Sequence, residues 1–139
     1  MTILITGANR GIGKGLADEW REAGEHVIGT ARSEPGMEVL DVADPASVTA
    51  LGERLENQPI STLVCNAGIL LDRHEQLEGG YPPELWAEHF QVNVTGVFLT
   101  IQALLPNLRL ALAGGGTPKI AIISSKLGSQ ASAGGGRYI

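Results

Sequence analysis

The chain has 139 residues, 43% of them hydrophobic and 18% charged, which is enough for one domain with a single buried core. A net charge of −5, with ten basic residues scattered along the chain, argues against nucleic acid or an anionic membrane as a partner. The single cysteine excludes an intrachain disulfide, and the apolar runs at 97–105 and 108–113 are broken by polar residues and fall short of the ~20 residues that span a bilayer, so a cytoplasmic protein is expected.

In chain order, residues 3–6 read as an apolar strand that runs into Thr6-Gly7-Ala8-Asn9-Arg10-Gly11-Ile12-Gly13, with a helix predicted over 11–23. Glycines here let the backbone turn sharply and approach a phosphate, and the N–H groups opening the helix at Gly11 and Ile12 point at the anion. Gly7, Asn9, Arg10, Gly11, Ile12 and Gly13 are therefore candidates for a nucleotide pyrophosphate site. Ile12, Leu16, Trp20 and Ala23 share one face of the helix, which assigns Trp20 to the core. Strands follow at 26–31 and 38–40, and Asp44-Pro45 supplies an N-cap and a first-turn proline for a helix through 56.

The continuous apolar run at 61–65 reads as a strand buried on both faces. Residues 69–82, with Asp72, Arg73, His74, Gly79, Gly80 and Pro82, show neither period and are assigned to an irregular surface segment. Helical spacing over 83–112 is interrupted at Pro106 and puts Trp86, Phe90 and Phe98 in the core; a glycine loop at 114–116 then leads to a fifth strand at 119–123. This alternation predicts an α/β fold, a doubly wound parallel sheet of Rossmann type with strand order 3-2-1-4-5.

The glycine spacing is G-x-x-x-G-x-G rather than the common G-x-G-x-x-G, and it is followed in order by Asp41-Val42, Cys65-Asn66-Ala67-Gly68 and Ser124-Ser125. Together these motifs resemble the short-chain dehydrogenase/reductase family. The resemblance implies an NAD(P)(H)-dependent oxidoreductase that interconverts a small-molecule carbonyl and its alcohol by hydride transfer. It implies adenine contacts at Asp41 and Val42, and further cofactor contacts at Asn66, Ala67 and Gly68. It also gives a proton-relay asparagine at Asn93 and a serine, Ser125, that hydrogen-bonds the carbonyl oxygen. Read without the family, Asp41 is equally a turn or cap residue, Asn93 a surface residue and the serines strand-end caps. In a fold that prefers NAD, an acidic residue at the end of strand two binds the ribose 2′-hydroxyl; here that position falls on Thr30-Ala31, and Arg32 follows. Arg32, with Arg10 approaching from the other side, suits a 2′-phosphate, so NADP(H) is favoured over NAD(H).

The family tyrosine must ionise far below its free pKa of about 10, helped by a lysine one helical turn later. Tyr138 lies at the family spacing from Ser125, but no lysine follows it before Ile139, and Lys126 is on the wrong side. Gly135-Gly136-Arg137-Tyr138 also resembles the subgroup of the C-factor signalling protein and the sniffer-type carbonyl reductases. In that alignment the catalytic tyrosine lies past Ile139, and both alignments stay open. The strand order leaves 120–123 on a sheet edge, so residues 1–139 are expected to form one NADP-binding domain, incomplete at its C-terminus. The rival expectation is a nucleotide-binding signalling or regulatory protein without turnover. Family members commonly form dimers or tetramers through the helix carrying Asn93, which implies a homo-oligomer here. His26, His74, His89 and Cys65 lack metal-ligand spacing, and no metal is expected.

Overall fold

The computed structural model describes residues 1–126, 129 and 131. Five parallel strands, β1 (Thr2–Ile5), β2 (His26–Ala31), β3 (Glu38–Val39), β4 (Thr62–Cys65) and β5 (Lys119–Ile122), lie in the order β3-β2-β1-β4-β5. The helices are α1 (Gly11–Glu22), α2 (Pro45–Arg54), α3 (Pro83–Phe90) and α4 (Gly96–Ala113), with a π-helical turn at Gln91–Thr95 joining the last two. The fold class and strand order are those expected, and element ends differ from the sequence reading by one or two residues, the usual extent of fraying.

Side chains alternate across a strand, so each central strand feeds two cores. Ile3, Ile5 and Val64 face α1 with Ala17, and Leu16 and Trp20 pack partly buried against them. Leu4, Leu63 and Cys65 face the other way, into a larger cluster with Leu51 of α2 and Leu104 and Leu108 of α4. On α1 the buried residues are Gly13 and Ala17; Ile12 and Ala23, which share the face of Trp20 in the spacing, are exposed because the helix opens at the edge of a cavity and ends in solvent. Asp44 caps α2 as expected, its Oδ1 accepting from Ala46 N–H at 2.9 Å.

Two further expectations are corrected. The helix is not interrupted at Pro106: α4 runs through it, because Leu104 and Leu108 on either side are held in the core and outweigh one missing backbone bond. Runs that look short in the sequence thereby join into one helix, Pro83–Ala113, of 31 residues, long and apolar enough by length and composition to cross a bilayer. In this fold its inward face packs on the sheet and α2. Trp86, Phe90 and Phe98 are not core; they point outward with Val94, at exposures of 37, 51, 63 and 54% respectively, because this helix is apolar around its circumference and Leu104, Leu108 and Ala111 take the inward side.

Candidate functional site

The chain winds outward from β1 through β2 to β3, then crosses back to place β4 on the other side of β1. The carboxyl ends of β1 and β4 thus mark the point where winding reverses, and in such sheets that crevice takes ligands. The two ends are tied to each other. Thr6 Oγ1 accepts from the N–H groups of Asn66 and Ala67, both at 2.9 Å, and the Asn66 side-chain amide donates to the carbonyls of Thr6 and Gly7, both at 3.0 Å.

Glycine is required twice in this knot. Gly7 sits at φ +68°, and a Cβ there would lie 3.1 Å from the Ala67 backbone. Gly13 packs the first turn of α1 so closely that a Cβ would stand 2.3 Å from the Gly7 carbonyl oxygen and 2.4 Å from Asn66 Nδ2.

Above the knot opens a cavity of about 650 Å³. Every nucleotide-binding candidate lines it except Ile12 and Gly13. Ile12 is exposed beside it, and Gly13 lies beneath, supporting the loop. Arg10 occupies the N-cap of α1 with no side-chain cap bond, and Arg32 lies just past the end of β2. Asp41 acts as a turn residue, its Oδ1 accepting from Ala43 N–H at 2.9 Å, and it also lines the cavity. Ser33, Glu34, Leu40, Ile69 and Val92 also line it and were missed. Glu34, two residues past Arg32, could have been found by counting beyond the strand end.

Asn93 lies in the π-helical turn, a feature often found at functional sites. Its amide spans one residue of the loop after β4: Oδ1 accepts from Ile69 N–H and Nδ2 donates to Ile69 C=O, both at 2.9 Å. Ser125 follows β5, whose parallel register with β4 (Cys65 opposite Ile122) puts it at the same end of the sheet as the cavity. Tyr138 lies outside the described residues. Burial pushes the Cys65 thiol up to about 11, which marks it as an inert packing residue.

The family model described as short chain dehydrogenase matches residues 1–139. The chain is 35% identical to the 3-oxoacyl-acyl-carrier-protein reductase FabG of Haemophilus influenzae over 97% of its own length. It spans 59% of that relative. Among solved structures, an NADPH-bound carbonyl reductase from chicken fatty liver superposes with a TM-score of 0.83 at 29% identity, covering 94% of this chain and 61% of the other. The 3-ketoacyl-acyl-carrier-protein reductase of Brucella melitensis, complexed with NADH, gives 0.81 at 28% identity, covering 93% and 59%. The chain belongs to the short-chain dehydrogenase family.

Proposed function

We propose that residues 1–139 form a nucleotide-binding domain of an NADPH-dependent oxidoreductase that acts on a small-molecule carbonyl or alcohol, nearest the sniffer-type carbonyl reductases. One observation carries the cofactor reading: Arg10 and Arg32 line the same cavity at the carboxyl end of β2, where a 2′-phosphate would lie. The cavity also fits the rest of a dinucleotide. The glycine loop at the start of α1 would offer bare backbone to a pyrophosphate, and Asp41 and Val42, which line the same cavity, would meet the adenine.

The bound nicotinamide would supply the hydride. The chain's own residues would hold and polarise the substrate. Ser125, on the cavity's end of the sheet, donates a hydrogen bond to the carbonyl oxygen and stabilises the charge that grows there. Asn93 fixes Ile69 of the cavity wall through two hydrogen bonds. Tyr138, at the family spacing from Ser125, would deliver the proton.

The exposed series Trp86, Phe90, Val94 and Phe98, one residue per helical turn, supports self-association along this helix. Phe90→Ser with Phe98→Ser should shift the sedimentation coefficient to that of a monomer. A small-molecule substrate, no nucleic-acid or membrane partner and a cytoplasmic location complete the reading.

The cofactor test is direct titration. NADPH should bind at least about tenfold tighter than NADH, and Arg32→Ala should remove most of that difference, since a charged hydrogen bond is worth roughly 1.5–3 kcal/mol. Equal or tighter NADH binding would overturn the preference, and Glu34 in the same cavity would then be the ribose ligand.

A further inference from the structure

His89 and Asp72 are each only 1% exposed, one on α3 and the other in the irregular loop before it. His89 Nδ1 lies 2.7 Å from the Leu85 carbonyl oxygen, and Nε2 lies 2.9 Å from the Leu71 amide nitrogen. These partners decide the ring's protonation. A carbonyl can only accept, so Nδ1 carries the proton; an amide N–H can only donate, so Nε2 is bare. The Asp72 carboxylate stands 3.8 Å from that bare nitrogen and has no hydrogen-bond partner for either oxygen among the described residues. A proton on Nε2 would serve Asp72 and orphan the Leu71 N–H, so the two groups compete for one nitrogen.

His89 precedes Asn93 by four residues, and Leu71 follows Ile69 by two. A helix advances about 6 Å in four residues. Two residues of extended chain cover about 7 Å. The helix side chains therefore take alternate backbone groups of the loop, Asn93 holding Ile69 and His89 holding Leu71. Ile69 lines the cavity, so this pair of clamps sets where the cavity wall leaves β4.

We infer that His89, as the neutral ring protonated on Nδ1, is a positioning residue that extends the Asn93 clamp and fixes the loop after β4 against the helix. It acts through the Leu71 backbone and touches no substrate. The inference stands on the fold and does not require the nucleotide reading, so its test can fail while the cofactor titration succeeds, and the reverse.

The test uses the whole polypeptide without added nucleotide. Imidazole nitrogen chemical shifts should show His89 with a protonated Nδ1 and a bare Nε2. Hydrogen exchange at the Leu71 amide should quicken about tenfold in His89→Leu, the effect of losing one hydrogen bond, while Ile5 and Leu63 exchange as before. His89→Gln, whose side-chain oxygen reaches the place of Nε2, should restore Leu71 protection; His89→Asn, which reaches only the place of Nδ1, should not. A wild-type ring protonated on Nε2, alone or with Nδ1, would overturn the inference by showing that the nitrogen serves Asp72. So would unchanged Leu71 exchange in a folded His89→Leu protein. If that variant does not fold, the wild-type ring shifts still decide.

Discussion

β4 and β5 are neighbours, parallel and in register, each four residues long and mostly apolar, yet in β4 Leu63, Val64 and Cys65 are buried and Thr62 partly so, while every residue of Lys119–Ile122 is exposed. Leu63 is 0% exposed and its register partner Ile120 is 45% exposed. β4 has β1 and β5 beside it and α4 packed across it; β5's extensive contacts among the described residues are with β4 alone. Apolar residues therefore make a strand, but the neighbours decide what that strand contributes to stability.

The largest effect that sharpens this contrast is a pair of truncations. Leu63→Ala should cost about 2–5 kcal/mol in urea unfolding, transfer and cavity together, and Ile120→Ala less than about 1 kcal/mol. Equal costs would break the comparison by showing β5 to be covered in solution. Next is alkali. The Cys65 thiol is raised in the fold from an ordinary 9.0 to about 11, so the folded state keeps its proton where the unfolded state loses it. Stability from this source is complete below pH 9 and falls as pH rises through 11, by up to about 3 kcal/mol. Cys65→Ala should flatten that part of the pH curve, and a thiol reagent should modify Ile122→Cys at once while Cys65 stays unreacted. The smallest effect is expected of Ala121→Lys, a charge on the edge strand. It should change stability by less than about 0.5 kcal/mol while lowering aggregation seen by light scattering.

The same distinction explains what was legible. Ile3 to Ile5, the glycine loop and Asp44-Pro45 could be read because each acts on its immediate neighbours: a strand, a tight turn, a cap. So could most of the cavity lining, since Asp41-Val42 and Asn66-Ala67-Gly68 follow strand ends whose order the winding dictates. The outward placement of Trp86, Phe90 and Phe98 could not, because a helix apolar all round carries no sign of which side meets the sheet. Nor could the π-helical turn: inserting one residue into a helical turn leaves apolar spacing almost unaltered, and only a polar Asn93 amid valines hints at it. Asp72 looked like loop surface, and its burial depends on His89, seventeen positions away, which nothing local announces.

Thr6, Gly13 and Asn66 meet at one point, although the last two are separated by most of a crossover and a half. Asn66 constrains both of the others and is constrained by each. An enlarged residue 13 needs a shorter side chain at 66, a shortened 66 abandons two carbonyls, and a changed 6 abandons two amides. Single substitutions at this point all pass through a damaged intermediate, so the three positions should drift together or not at all, and descendants of this chain should keep them as a set long after the surrounding surface has been rewritten.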